Sequence, residues 1–280
     1  MRHAAPYFLL GVLALLVWFL LRRCHGRTAV VAREFLLAFP IILLYFIARG
    51  LADANPTAAA EHAEAIIGIE RGLGLFREPD VQRLAGSGWW IRIFNWIYIF
   101  GHWPVVAITF LWLAACHRER LPRYRDALFI SGAIGIVIFT LLPVSPPRFM
   151  PAFGFIDPIL LRNPAYRVLQ PSALTNPYAA MPSLHLGWNL LMGIAVIRES
   201  RNRFARLFGV IMPGAMFCAI VVTANHYFLD GLVGVAIALL ALALTDSMGN
   251  RKLAGTEAPA SGGGGDDRGP RRSSSDSHEA

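Results

Sequence analysis

The sequence predicts an all-α, polytopic membrane helical bundle of about seven transmembrane helices, and three observations carry that reading. Hydrophobic residues make up 55% of the chain and charged residues only 16%, with a mean hydropathy of +0.49. A soluble domain would carry about 25% charged residues. Apolar runs near the length needed to cross ~30 Å of hydrocarbon recur along the chain. Basic residues, which give a formal net charge of +8, collect in short loops between those runs. That is a topology signal and not the continuous basic face of a nucleic-acid binder.

The first run, about 4–21, is followed by Arg22-Arg23. A secretory leader carries its charge ahead of the apolar stretch, so this one reads as a retained span. The second run covers about 30–49. Residues 51–88 then mix charges and include Glu61-His62-Ala63-Glu64-Ala65-Ile66-Ile67-Gly68-Ile69-Glu70. Apolar residues at helical spacing predict short amphipathic helices there, lying on the outer surface. The third run, about 91–115, opens beside Trp89-Trp90, an aromatic pair suited to the membrane interface.

The remaining runs are about 127–143, 183–198, 205–224 and 227–246. The fifth is short and the seventh begins on the polar His226, so both are expected inside the bundle. From Ser247 the chain turns polar, with Gly262 to Gly265 unbroken and a serine run after Arg271-Arg272. Such a tail cannot bury a core and is expected to be disordered. The chain thus divides into N-terminal spans (1–50), an extracytoplasmic segment (51–88), a membrane core (89–246) and a cytoplasmic tail (247–280). Cys24, Cys116 and Cys218 have no metal-ligand spacing and read as small apolar fillers. His62 and His278 read as solvated.

Arginines occupy every second loop: Arg22, Arg23, Arg27 and Arg33, then Arg118, Arg120, Arg123 and Arg125, then Arg198, Arg201, Arg203 and Arg206, with Arg251 and Lys252 after the last run. The positive-inside rule puts these segments in the cytoplasm of a cell-membrane protein whose N-terminus lies outside. The other span ends then share the outer face. Pro143-Val144-Ser145-Pro146-Pro147-Arg148 ends the fourth span, and Met181-Pro182-Ser183-Leu184-His185 opens the fifth. Asn225-His226-Tyr227-Phe228-Leu229-Asp230 joins the sixth to the seventh. Ionisable groups at the edge of apolar runs are costly and mark function.

Those residues suit phosphoryl transfer. His226 attacks phosphorus through one ring nitrogen while Asp230, four residues on, accepts from the other and sets the tautomer. His185 protonates the leaving oxygen and later activates an acceptor. Arg148 offers paired donors to phosphate oxygens, and Ser183, Asn225 and the amides after Pro182 complete an anion pocket. Asn95, Tyr98 and His102 share a helical face in the third span. Two readings stand for them: a polar wall of the headgroup pocket, or interhelical hydrogen bonds that lock the bundle. Trp188 and Asn189 read as packing residues.

Pro182-Ser183-Leu184-His185 and His226-x-x-x-Asp230 resemble signatures of the type 2 phosphatidic acid phosphatase superfamily. Pro146-Pro147-Arg148, Leu184 and Ala224-Asn225-His226-Tyr227 are similar to its fungal inositol phosphorylceramide synthase branch. The resemblance spans about residues 60–246. It implies a six-helix phosphatase-like core, preceded here by an extra N-terminal span and needing no metal or other cofactor. It also implies a phosphohistidine on His226, oriented by Asp230, with His185 as acid. The implied partners are a phospholipid, polyprenyl or sphingolipid-type phosphate, the bilayer, and a polyol such as inositol if the acceptor is not water.

The chain departs from the family pattern where a lysine is expected, at Leu141, and where Ser-Arg is expected, at Ala219-Ile220. Arg167, Arg162 and His102 are the substitutes that the sequence suggests. Other membrane classes fit less well. A zinc protease needs His-Glu-x-x-His, and a rhomboid-type protease needs Gly-x-Ser-Gly; neither motif occurs. A transporter would carry polar residues at mid-membrane on several helices rather than at one face.

Overall fold

A computed structural model describes residues 26–51, 55–85, 89–157 and 176–256. These form nine α-helices: α1 (Arg27–Leu51), α2 (Pro56–Gly72), α3 (Glu78–Ala85), α4 (Trp89–Phe100), α5 (Trp103–Cys116), α6 (Leu121–Leu141), α7 (Leu184–Glu199), α8 (Arg203–Val222) and α9 (Phe228–Thr256). Two 3-10 turns, Pro147–Phe149 and Pro151–Phe153, follow α6, and no strand occurs among the described residues.

Four segments are long and apolar enough to cross a membrane: Val31–Gly50, Leu121–Leu141, Arg203–Val222 and Phe228–Met248. The third run expected from the sequence is broken. Helices α4 and α5 meet at 43° and make a fifth span if taken as one bent unit. Gly101 and Pro104 account for the break. A side chain at Gly101 would lie 2.3 Å from Met212 Cε, and Pro104, in the first turn of α5, cannot donate to a continuous ladder. The fifth run becomes α7, only 16 residues long and so about 24 Å. The first run, at 4–21, lies outside the described residues. Seven spans therefore reduce to four or five among the described residues.

Helix α7 is the centre of the bundle and packs against α5, α6, α8 and α9. Leu184, Leu186, Trp188, Leu191, Met192 and Ala195 are all buried. Its neighbours approach closely because glycines face one another. A Cβ on Gly193 would sit 2.4 Å from the Gly209 carbonyl oxygen of α8, and one on Gly234 of α9 would sit 2.2 Å from that of Ser183. Without water to drive helices together, such close backbone contact is a main source of cohesion.

Contacts sort the helix ends into two groups. At one end lie the starts of α1 and α6 and the later parts of α7 and α9. Arg125 donates to Glu34 at 2.6 Å, Arg123 to Asp246 at 2.5 Å and the Tyr124 hydroxyl to Glu199 at 2.8 Å. At the other end the starts of α7 and α9 meet the ends of α6 and α8. The amphipathic helices expected in 51–88 form as α2 and α3, and they cap this end. Ala63, Ile66 and Ile67 of α2 pack on Val144, Met150, Phe155, Ala180, Met181 and Tyr227.

Three smaller expectations change. His62 is tied down, its Nδ1 donating to the Pro143 carbonyl at 2.8 Å, because α2 lies against the chain that follows α6. Cys116 and Cys218 are free and exposed on helix surfaces, not interior fillers. Helix α9 runs on to Thr256, past the Ser247 boundary, since extending a formed helix adds a hydrogen bond per residue. Residues 257–280 lie outside the described residues.

Candidate active site

The turn between α8 and α9 delivers the histidine. Helix α8 closes with Asn225 N and His226 N both donating to the Ile220 carbonyl, at 3.0 and 3.2 Å. Ala224 takes φ of 51° to make this possible. That left-handed conformation costs a non-glycine residue about 1–2 kcal/mol, here supported by the tight C-terminal cap. His226 therefore precedes α9, and Asp230 sits in its first turn.

His226 is held by two acceptors. Its Nδ1 lies 2.6 Å from the Ala180 carbonyl oxygen and 3.6 Å from Asp230 Oδ2. A carbonyl oxygen only accepts, so Nδ1 carries a proton. The shorter contact is to the backbone, which the sequence reading missed. Asp230 Oδ2 also accepts from Tyr227 N at 2.9 Å, as a capping-box acid does, and its Oδ1 has no partner.

Two more carboxylates complete that cap. Glu78 Oε1 accepts from Phe228 N at 3.0 Å and Glu70 Oε1 from Leu229 N at 2.8 Å. Tyr227, Phe228 and Leu229 thus give their N–H groups to Asp230, Glu78 and Glu70 in turn, at the positive end of the α9 dipole. Both glutamates are fully buried. Burial, a hydrogen bond shared with Glu78 and the charges of Glu78 and Asp230 push the Glu70 carboxyl up to about 9, despite the opposing bond from Leu229. Burial, with the same carboxylates, also pushes the Tyr227 phenol up; its hydroxyl donates to the Ser145 carbonyl at 3.1 Å.

His185 stands in the first turn of α7. Its ring stacks on Tyr98 with centroids 4.4 Å apart, lies 4.3 Å from that of His102 and 5.9 Å from that of His226. Asn189 Nδ2 donates to the His185 carbonyl at 2.9 Å and lies 3.3 Å from His102 Nδ1. The amide group that faces a carbonyl is a donor, so His102 Nδ1 accepts and its Nε2 carries the proton. Trp188 stacks on His102 at 5.7 Å and donates to Ser131 Oγ at 3.0 Å. Asn189 and Trp188 therefore both contact the His102 ring, and Trp188 does so from within the packed core.

Arg148 anchors the other wall. Its backbone N donates to the Ala224 carbonyl and its guanidinium to Asn225 Oδ1. Asn225 Nδ2 in turn donates to Thr223 Oγ1 at 2.7 Å. Ser183, the N-cap of α7, is buried, makes no side-chain cap bond, and its Oγ is without a partner. Its backbone N donates to the Asp230 carbonyl at 2.9 Å.

The structure therefore gathers His226, Asp230, His185, Ser183, Asn225, Arg148, His102 and Tyr98 at one end of the bundle. Asn95 is buried one turn before Tyr98 on α4. Arg167 and Arg162 lie outside the described residues. Leu141 is 76% exposed, while Ala219 and Ile220 are buried in α8, so none of the three stands in for a cation. Among the described residues, no three His, Cys, Asp or Glu side chains converge as a metal site.

Sequence reasoning missed Glu70 and Glu78. Glu70 could have been found, because it continues the apolar stripe of Ala63, Ile66 and Ile67 on α2, where a carboxylate has no solvent.

The family model of the PAP2 superfamily matches residues 64–244 of the chain. No curated protein and no solved structure matches it significantly.

Proposed function

The chain belongs to the PAP2 superfamily, and on that premise we propose that it transfers the phosphoryl group of a membrane lipid phosphate through a phosphohistidine on His226. The superfamily is one of phosphatases, which supports a phosphoric ester hydrolase at the coarser level. One observation carries the finer reading: the Nδ1–H of His226 is spent on Ala180 O, leaving Nε2 as a free nucleophile beside the His185 ring.

In the first half-reaction Nε2 forms the N–P bond as the ester P–O bond breaks. The departing oxygen takes a proton from His185. Positive charge develops on the His226 ring, where Asp230 at 3.6 Å favours it. Arg148 binds non-transferring phosphate oxygens, and Ser183 Oγ is an open donor beside them. In the second half-reaction His185 takes a proton from the acceptor hydroxyl, which attacks phosphorus and breaks the N–P bond. His226 returns to its neutral Nδ1–H form.

The acceptor decides the name of the reaction. Water makes the protein a lipid phosphatase. A polyol such as inositol, or a lipid hydroxyl, makes it a phosphotransferase, the reading that Pro146-Pro147-Arg148 and Ala224-Asn225-His226-Tyr227 favour by their likeness to the inositol phosphorylceramide synthase branch. Asn95, Tyr98 and His102 then form the polar wall of the headgroup pocket. The arginine-rich end fits the cytoplasmic side of the cell membrane, which puts the site on the extracytoplasmic face, open to the outer leaflet.

The test is to incubate purified protein with phospholipid, sphingolipid-type and polyprenyl phosphates, with and without inositol, and to analyse products. Release of inorganic phosphate alone supports hydrolysis. A new phosphodiester supports transfer. No phosphate release and no transfer from any of these substrates removes the reading.

A further inference from the structure

We propose that Arg49, at the end of α1, is a phosphate-binding residue of this site and supplies the second guanidinium that a lipid phosphate dianion requires. The proposal rests on the phosphoryl-transfer reading above. It concerns a helix that lies outside the segment matched by the superfamily.

The need is electrostatic. The buried carboxyl groups of Asp230, Glu70 and Glu78 crowd this end of the bundle and do nothing to offset a phosphate's charge. A phosphate monoester carries nearly two negative charges near neutral pH. Arg148 is one cation, and half of its donor fork is already directed at Asn225. Two guanidinium groups would match the dianion; one does not.

Arg49 has the position and an open donor. Its Nε is buried without a hydrogen-bond partner, and no carboxylate pairs with it among the described residues. Its guanidinium carbon lies 5.7 Å from the Phe139 ring, in the last turns of α6. One turn below it on α1, Tyr45 sits 5.5 Å from Trp188. Trp188 stacks on His102, and His102 contacts His185. The end of α1 that carries Arg49 therefore lies at the same end of the bundle as this ring series. A guanidinium whose Nε is buried without a hydrogen-bond partner is costly unless an anion completes it.

The experiment measures orthovanadate inhibition and lipid-phosphate turnover for the full chain in detergent micelles, with thermal unfolding followed in parallel. Arg49→Gln is expected to weaken vanadate inhibition and raise KM by about tenfold or more, the loss of a charge-assisted contact. Arg49→Lys keeps the charge but not the fork, and is expected to fall between Gln and Arg. Arg77→Ala, an exposed cation of the cover paired with Asp80, is the control and is expected to match the wild type.

Wild-type KM and vanadate inhibition in folded Arg49→Gln overturn the proposal. If Arg49→Gln does not fold, Arg49→Lys decides, and wild-type values there overturn it equally. A wild-type protein that is inactive and insensitive to vanadate overturns the phosphoryl-transfer reading itself, and Arg49 with it.

Discussion

At the arginine-rich end of the bundle, carboxylates meet guanidinium groups: Glu34 with Arg125, Asp246 with Arg123. At the opposite end Glu70, Glu78 and Asp230 meet backbone N–H groups instead. The cations there, Arg49 and Arg148, have no carboxylate partner among the described residues. The first arrangement closes its charges on one another and serves to clamp helix ends. The second holds them apart, with acids on the start of α9, Arg148 on Asn225 and Arg49 beside Phe139. Unspent charge inside a membrane protein has a ligand in view.

The largest way to break this comparison is at the proposed nucleophile. His226→Ala is expected to lower turnover by about ten-thousandfold or more and to abolish an acid-labile phosphoenzyme, while helix content by circular dichroism stays unchanged. Trapped phosphoenzyme in that variant would remove His226 from the role. His185→Ala is expected to slow transfer from substrates with poor leaving groups while leaving some trapping.

The glutamate cap comes next. Glu70→Ala strips Leu229 N–H of its acceptor in a buried setting, so a loss of about 1–3 kcal/mol is expected, read as a lower midpoint of thermal unfolding. A change at the same acid sharpens the comparison through pH. The folded protein holds the Glu70 proton up to about 9, whereas a free carboxyl with the ordinary value of 4.5 releases it far earlier. The native state therefore binds the extra proton between those limits. Its stability should fall as pH rises through that window, by at most about 1.4 kcal/mol per unit. Glu70→Gln, permanently neutral, should flatten the slope in unfolding midpoints measured across it; an unchanged slope would assign the titration elsewhere.

The smallest effect belongs to the other end. Arg123→Ala breaks a pair that is partly exposed on both sides, and should cost no more than about 1 kcal/mol. Turnover at saturating substrate should be unaffected. A kinetic defect there would mean that the two ends are coupled.

How much of this could be read beforehand follows from what each residue answers to. His226, Asp230, His185 and Arg148 answer to chemistry, which demands residue types near span ends, and the structure brings these candidates to one end of the bundle. The membrane bundle answers to hydropathy and was equally legible. The break between α4 and α5 was written in Gly101 and Pro104 but hidden by an unbroken apolar run. Ala180 contributes only its carbonyl, which no side chain announces. Glu70 meets its partner 159 residues away, after α2 folds back across the bundle, and no local pattern encodes that distance. Arg49 likewise gains meaning only from Phe139 and the ring series reaching His185.

The cap on α9 also bears on how a substrate arrives. Helices α2 and α3 are fastened by Glu70 and Glu78 to the N–H groups of Leu229 and Phe228, so they cannot swing away as a lid without stripping α9 of its cap. Admission from the aqueous side would disarm the site in the act of opening it. A lipid that slides in sideways, its tail never leaving the bilayer, disturbs none of those bonds. For a lipid substrate, entry from the bilayer would leave the acidic clasp closed.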